Sequence, residues 1–182
     1  VSQFYASSKA NVTSVMINAR LLPSEQLELL ERSRATLWLG DETSIAALKP
    51  LAPTALTLAT WSDAQSDTGA FRERLSHGEF PAWLLYTSGT TGKSKGVPLS
   101  DANLIAAATN AGIARSFSNT EVLGLPFPLF HIDATNLLMA HLHARPVVLI
   151  KGFEPEVVSE LITRHEITAL SLAPTMIRRL VD

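Results

Sequence analysis

Predicted strands and helices alternate along this chain at the spacing of strand–helix–strand units. Apolar patterning predicts strands at residues 12–17, 36–39, 55–59, 83–86, 122–125, 146–150 and 168–172. It predicts helices at residues 2–10, 23–32, 42–48, 102–115, 137–143 and 155–165, with another opening at Pro174. The segment 61–69, rich in Ser, Asp and Thr, is typical of a surface loop. Such alternation favours an α/β fold with mostly parallel sheets flanked by helices.

The composition agrees with this fold class and argues against several kinds of function. Of the 182 residues, 46% are hydrophobic, which is ordinary for a globular protein. The formal net charge of -2 gives no reason to expect nucleic acid as a partner, and the longest apolar runs are too short for a transmembrane segment. Without cysteine there is no disulfide, thiolate metal site or cysteine-bound acyl intermediate. The first residues show no signal-peptide pattern, and a cytoplasmic location is expected.

A polar turn at residues 116–120 separates two sets of alternating elements. We therefore expect a first α/β subdomain at residues 1–115 and the start of a second, incomplete one at residues 116–182. Val1 enters directly into an amphipathic pattern, and Asp182 stops inside or just after a helix. These ends favour a fragment of a longer protein.

Residues 86–96, with the sequence YTSGTTGKSKG, combine hydroxyls, flexible backbone and two cations. Glycines let the backbone approach an anion, and consecutive turn amides form an anion-binding concavity. Lys93 and Lys95 supply positive charge. The apolar segment 83–86 predicts a buried strand just before, and ligands of open α/β sheets collect at strand ends. We call residues 86–96 the phosphate loop and predict that they bind phosphate groups.

Two other interpretations of the phosphate loop fit less well. Its segment Gly92-Lys93-Ser94 matches the end of the P-loop pattern G-x-x-x-x-G-K-[ST], but the first glycine of that pattern would fall on Thr87. Pro98 also follows where a P-loop would run into a helix. A flexible linker, the other interpretation, has no need of two lysines or of a flanking buried strand.

Four segments, in order along the chain, resemble the adenylate-forming (AMP-binding) superfamily of acyl-CoA synthetases, luciferases and peptide-synthetase adenylation domains. The phosphate loop matches the family signature [YF]-T-S-G-[TS]-T-G-x-P-K-G-V at every position except Ser94, where proline is usual. Residues 18–21 resemble its N-P-R-L segment with Ala19 in place of proline, residues 128–131 its P-L-F-H motif, and residues 173–176 its V-P-T-M motif. The resemblance extends through essentially the whole chain and is strongest to fatty-acid–CoA ligases.

This resemblance implies ATP-dependent activation of a carboxylic acid to an acyl-adenylate, followed by transfer to coenzyme A. Donors aimed at the leaving pyrophosphate would stabilise the transition state more than the ground state. The ATP-binding residues implied are Thr87, Ser88, Gly89, Thr90, Thr91, Gly92, Lys93 and Lys95. Lys95 is also a candidate catalytic residue, Thr90 is the candidate Mg²⁺ ligand, and Lys93 is equally consistent with a solvated side chain that has no direct role.

His131, in the segment that resembles P-L-F-H, is the second candidate catalytic residue. By resemblance it lies where the acyl pocket meets the nucleotide site and orients or gates the carboxylate; the alternative is a packed histidine with a backbone hydrogen bond. Asp133 and Asn136 are candidates for the acyl pocket, with a helix N-cap as the alternative for Asp133. His141 and His143 have metal-ligand spacing but lack supporting carboxylates or cysteines, which favours surface positions.

The preferred hypothesis is therefore an acyl-CoA synthetase for a fatty or related acid, of which this chain is part of the N-terminal domain. By resemblance, the missing remainder of the enzyme would be a partner that holds the adenine and ribose sites and a C-terminal domain with the catalytic lysine. The alternative from another class is a noncatalytic module that binds a polyphosphate or a partner protein. A P-loop NTPase ranks third. The acid, the acceptor (coenzyme A or a carrier protein) and the oligomeric state stay open.

Overall fold

The computed structural model describes residues 1–66, 79–87 and 94–181. The chain forms two compact units, Val1–Leu99 and Ser100–Asp182, and each unit combines helices with small sheets. All four strand pairs whose registers fall within the described residues are parallel. The predicted α/β class, with mostly parallel sheets flanked by helices, is confirmed.

The first unit holds two sheets. Its strands are β1 (Ser14–Met16), β2 (Leu37–Gly40), β3 (Thr57–Thr60), β4 (Pro81–Thr87) and β5 (Lys95–Ser100), the last residue of which belongs to the second unit. Its helices are α1 (Ser2–Lys9), α2 (Pro23–Ser33), α3 (Glu42–Leu48) and α4 (Trp61–Ser66). One sheet has the strand order β1-β4-β5 and the other pairs β2 with β3. Strand β4, which leads into the phosphate loop, is therefore the central strand of its sheet.

Helix α2 packs its inner face into the core of the first unit, and its own sequence sets where it begins and ends. Pro23 occupies the first turn, and the Glu25 carboxylate accepts a hydrogen bond from the Leu22 backbone N–H at 2.8 Å. The helix ends at Arg34, which has a left-handed φ of 55°. The buried core beneath it contains Ile17, Leu29, Leu30 and Leu56.

Helix α4 corrects the prediction of a surface loop over residues 61–66, while the rest of that predicted loop, residues 67–69, lies outside the described residues. The Thr60 backbone N–H and hydroxyl donate to the Asp63 carboxylate at 2.8 and 2.7 Å, and the Asp63 N–H donates back to the hydroxyl at 3.1 Å. This reciprocal pattern is a capping box, and the same hydrogen bonds hold the pKa of Asp63 below its ordinary value. The polar residues that predict a loop here begin a helix instead.

The second unit surrounds one parallel sheet. Its strands are β6 (Leu123–Leu125), β7 (Val147–Leu149) and β8 (Ala169–Leu170), in the order β7-β6-β8. Its helices are α5 (Asp101–Ala114), α6 (Thr135–Leu142), α7 (Pro155–His165) and α8 (Pro174–Val181), and a 3-10 helix at Ile132–Ala134 precedes α6. Central strand β6 is buried throughout. Its Gly124 leaves no room for a side chain, because an added Cβ would collide with Leu170.

Helix α5 belongs to the second unit, whereas the sequence-based division at residue 115 assigns it to the first. Ala108 of α5 is fully buried in one cluster with Met139 and Ala140 of α6 and with Phe117. Phe117 lies in the polar turn 116–120, so this turn is anchored inside the unit. A polar turn marks an exposed connection and not necessarily a boundary between units, and it is the contacts of α5 that place the division before Ser100.

Within the part of the chain that the structure describes, no helix is both long enough and apolar enough to cross a lipid bilayer.

Candidate nucleotide and acyl sites

Strands β4 and β5 carry the two ends of the phosphate loop and are hydrogen-bonded neighbours in one sheet. Thr87 is the last residue of β4 and Lys95 the first residue of β5, and both are exposed. The Thr87 hydroxyl donates a long hydrogen bond of 3.5 Å to the Lys95 carbonyl. Two predicted site residues that are eight positions apart are thereby brought together at one edge of the sheet.

The other predicted phosphate-loop residues lie outside the described part of the chain. They are Ser88, Gly89, Thr90, Thr91, Gly92 and Lys93, so their roles in ATP and Mg²⁺ binding stay predictions. The segment that follows them is strand β5. A P-loop continues into a helix at this point, so the strand adds to the argument from glycine register against a P-loop NTPase.

Gly96 lets strand β5 pass close to the side chains of β4. A Cβ built on Gly96 would lie 3.1 Å from Leu84 Cδ1 and 3.4 Å from Tyr86 Cε1. Tyr86 is itself fixed, because its hydroxyl donates a 3.0 Å hydrogen bond to the Leu29 carbonyl of α2. Gly96, the last residue of the phosphate loop, therefore leaves space for the Tyr86 ring, which α2 holds in place.

Arg32 of α2 also contacts the ends of the phosphate loop, and sequence reasoning did not single it out. Its Nη2 donates to the Ser94 carbonyl at 2.7 Å, and its guanidinium carbon lies 5.7 Å from the centre of the Tyr86 ring. The contact with Ser94 spans 62 residues of sequence. A pattern of neighbouring residues cannot predict a contact between residues so far apart in sequence.

In the second unit, His131 is exposed and precedes the 3-10 helix Ile132–Ala134. Its Nδ1 accepts a hydrogen bond from the Asp133 backbone N–H at 3.2 Å, and its ring stacks on Phe127 with a centroid distance of 5.6 Å and an interplanar angle of 20°. In neutral imidazole an accepting Nδ1 places the proton on Nε2. His131 thus combines the predicted backbone hydrogen bond with an exposed ring whose Nε2–H is a possible donor to a ligand.

Asp133 and Asn136 join a polar network with Ser171, a residue that sequence reasoning did not select. Asp133 Oδ1 accepts hydrogen bonds from Asn136 Nδ2 at 2.5 Å and from the Ser171 hydroxyl at 2.9 Å. Asn136 is buried, with 5% of its surface exposed. His131 is the N-cap of the 3-10 helix, and α6 has no side-chain cap, so the N-cap alternative for Asp133 is wrong. The carboxylate instead ties the start of α6 to the segment after β8.

The second oxygen of Asp133 is buried and has no hydrogen-bond partner among the described residues. Asp133 comes two residues after the segment 128–131, and Ser171 comes two residues before the segment 173–176, so the network joins stretches of chain that adjoin two of the family motifs. Both motifs lie in the second unit. The polar network therefore assembles one candidate acyl site from residues far apart in sequence.

His141 and His143 lie at the carboxyl end of α6. Within the described residues there is no group of three or more side chains from His, Asp and Glu that could hold a metal ion. The His143 ring packs edge-on against Phe117 at 5.5 Å, and partial burial lowers the pKa of His141. His143 therefore packs at the end of α6, and His141 is exposed.

The parallel sheets and flanking helices define an α/β protein. Within that class, the family model of the AMP-binding enzymes matches residues 1–182, and the chain belongs to this family. The resemblance to adenylate-forming enzymes drawn from the four sequence motifs is confirmed.

Relatives within the family are CoA ligases. A 2-succinylbenzoate–CoA ligase from Bacillus cytotoxicus is 25% identical over 183 residues, which cover 100% of this chain and 37% of the relative. A sulfoacetate–CoA ligase from Cupriavidus necator is 34% identical over 104 residues, which cover 56% of this chain and 20% of the relative. The chain thus spans well under half the length of these enzymes.

Solved structures of O-succinylbenzoate coenzyme A synthetase (MenE) from Bacillus subtilis share the fold. The structure in complex with AMP has a TM-score of 0.85 and 27% identity, covering 98% of this chain and 47% of that one. The structure with ATP and a magnesium ion has a TM-score of 0.87 and 24% identity, covering 99% of this chain and 48% of that one. Nearly the whole of this chain is therefore covered by a match to about half of the relative.

Proposed function

We propose that this chain supplies the phosphate-binding part of an ATP-dependent acid–CoA ligase. Such an enzyme joins a carboxylic acid to AMP with release of pyrophosphate, and then transfers the acyl group to the thiol of coenzyme A. The observation that carries the proposal is the meeting of Thr87 and Lys95 at the edge of the β4–β5 sheet, at the two ends of a loop with the family signature. The Thr87 hydroxyl, the positive charge of Lys95 and the backbone of the phosphate loop are then available to one chain of phosphate groups.

ATP binding would place the negative charge of its phosphates against these groups. In our proposal the hydroxyls of Ser88, Thr90 and Thr91 donate to phosphate oxygens, and the Thr87 hydroxyl turns from the Lys95 carbonyl to do the same. Gly89 and Gly92 let backbone N–H groups approach, and Lys93 and Lys95 supply charge. When pyrophosphate leaves, its charge increases, and donors fixed in advance stabilise that increase. A Mg²⁺ ion would be held mainly by phosphate oxygens, with Thr90 as the predicted protein ligand. The fixed ends of the loop, at Thr87 and Lys95, support this assignment.

The carboxylic acid is assigned to the polar site of the second unit. His131 presents Nε2, and a hydrogen bond from there to a carboxylate oxygen would orient the acid for attack on the α-phosphate.

A fatty or related acid, as the P-L-F-H resemblance implies, is one substrate class that we propose. The relatives named for 2-succinylbenzoate and sulfoacetate support a second class, an aromatic or sulfonated acid. Coenzyme A as the acceptor and a cytoplasmic location complete the proposal.

Carboxylate-dependent exchange between ATP and pyrophosphate tests this function, with a panel of fatty, aromatic and sulfonated acids. It is run on this chain and on the longest native protein that contains it. We expect exchange in the longer protein with one acid class. Lys95→Ala should slow that exchange about 100-fold, because the leaving pyrophosphate loses a neutralising charge. Lys49→Ala, which removes another exposed lysine of the first unit, is the control and should leave the rate unchanged.

Three outcomes would contradict the proposal in whole or in part. Absence of exchange with every acid in the longest native protein would remove the ligase activity, and ATP binding without exchange would favour the noncatalytic module. An unchanged rate in Lys95→Ala would remove Lys95 from the catalytic residues while leaving the activity in place.

A further inference from the structure

Arg32 is the one side chain of α2 whose charged group reaches the described residues at both ends of the phosphate loop. Its Nη2 donates to the carbonyl of Ser94, the residue just before β5, at 2.7 Å. Its guanidinium carbon lies 5.7 Å from the ring centre of Tyr86, the next-to-last residue of β4. One guanidinium therefore contacts the chain where it enters the loop and where it leaves.

The contact with Ser94 is the strongest interaction that Arg32 makes. A hydrogen bond from a charged donor is shorter and stronger than one between neutral groups, and 2.7 Å is at the short end of that range. The ion pair of Arg32 with Glu28 is weaker, since it is 3.7 Å long and the two side chains are 39% and 62% exposed. Exposed pairs on one helix contribute little to stability. The function of Arg32 is therefore to be sought at Ser94 and Tyr86.

Helix α2 holds the base of the loop at a second point. The Tyr86 hydroxyl donates to the Leu29 carbonyl at 3.0 Å, and Leu29 is buried in the core of the first unit. The ring is thus attached to α2 through its hydroxyl and covered by Arg32 on a face. Because α2 is packed into the core, it offers Tyr86 and Ser94 a rigid support.

We propose that Arg32 is a positioning residue for phosphate binding: it fixes Ser94, and through Ser94 the start of β5, relative to Tyr86 and the end of β4. In this arrangement Thr87 and Lys95, at the two ends of the phosphate loop, are held next to one another. The inference rests on the proposed function in taking ATP as the ligand. Lysine cannot fully replace arginine at this position. A guanidinium is planar and can stack on the Tyr86 ring while one of its N–H groups donates to the Ser94 carbonyl, and an ammonium group cannot do both.

Hydrogen–deuterium exchange measures the positioning without reference to any activity. Peptides that cover β4 and β5 are compared in the wild type, Arg32→Gln, Arg32→Lys and Glu28→Gln. In Arg32→Gln we expect the rate of hydrogen exchange in residues 94–99 to rise about threefold to tenfold. The reason is that loss of the hydrogen bond to Ser94 should raise the equilibrium constant for local opening by up to about tenfold. Arg32→Lys should give a smaller rise. Glu28→Gln, which removes the ion pair but keeps the contact with Ser94, should match the wild type, as should peptides from α5 in every variant.

The second measurement is the KM for ATP in acid-dependent pyrophosphate exchange. Arg32→Gln should raise the KM for ATP about threefold to tenfold and leave the KM for the carboxylic acid unchanged, a split that general destabilisation would not produce. If Arg32→Gln does not fold, Arg32→Lys decides by the same two measurements.

The two readouts separate the failure of this inference from the failure of the proposed function. A wild type without ATP binding or exchange, but with faster hydrogen exchange at residues 94–99 in Arg32→Gln, would overturn the ligase proposal while supporting the part of the inference in which Arg32 fixes Ser94 and the start of β5. Unchanged hydrogen exchange at residues 94–99 would overturn the positioning role whatever the enzyme does. So would an equal rise across all peptides of the first unit, or an equal rise in both KM values.

Discussion

The buried side-chain amide of Asn136 cannot be replaced by an apolar group without loss, because its hydrogen-bond partner is a carboxylate. Its Nδ2 donates to Asp133 Oδ1 at 2.5 Å, and the Ser171 hydroxyl donates to the same oxygen. Burial strengthens such hydrogen bonds and equally raises the cost of losing a partner. The residue is therefore a sensitive point for the candidate acyl site.

Replacing Asn136 by alanine should lower the free energy of unfolding by about 1–3 kcal/mol, since a half-buried carboxylate loses one of the two donors to its Oδ1. Urea-induced unfolding monitored by circular dichroism measures the change. Asn110→Ala, at an exposed position of α5, is the matched control and should change stability by less than about 0.5 kcal/mol. Adding Ser171→Ala should give a non-additive loss, and strict additivity of the two substitutions would show that they are not members of one network.

At the scale of elements, a helix can end at a non-glycine residue that takes a left-handed backbone conformation. Helix α7 ends at Glu166, which has a left-handed φ of 51° although it is not glycine. That conformation costs an ordinary residue about 1–2 kcal/mol, and a negative charge is unfavourable at the carboxyl end of a helix. The end of α7 is therefore an element that a single substitution can improve.

Glu166→Gly should raise the free energy of unfolding by about 1 kcal/mol, by relieving the left-handed backbone and removing the charge. Thermal unfolding is the measurement. Glu166→Ala separates the two causes, because it removes the charge but keeps the strain, and it should gain only a few tenths of that amount. Glu160→Gly, inside the same helix, should be destabilising by about 1 kcal/mol. A stabilising Glu160→Gly or a destabilising Glu166→Gly would contradict this account.

Elements whose boundaries are set by neighbouring residues were predictable from sequence, and contacts made by distant residues were not. Helices α3 and α7 have the predicted bounds, because their caps and apolar faces are local. Helix α4 was missed since Thr60 and Asp63 serve a loop and a capping box equally well. Within the candidate sites, Arg32 was missed for a different reason, because its partner Ser94 is 62 residues away.

At the scale of the whole molecule, the division before Ser100 assigns α5 to the second unit, whereas the polar turn at 116–120 favours a division after it. The two divisions differ in which core residues would stay buried in the second piece if it were separated from the first. A piece that begins at residue 100 keeps Ala108 of α5 in one cluster with Met139 and Ala140 of α6. A piece that begins at residue 116 would expose both of these α6 residues, which have no exposed surface in the intact unit.

We therefore expect residues 100–182 to fold as a separate protein and residues 116–182 not to do so. The first piece retains a sheet covered by helices, while the second loses the helix that covers α6 and falls to a size at which one core rarely suffices. Dispersed amide signals in NMR and a cooperative thermal transition should be seen for the first piece only. Cooperative folding of residues 116–182 would restore the division at the polar turn. Failure of both pieces would show that the second unit depends on the first for its stability.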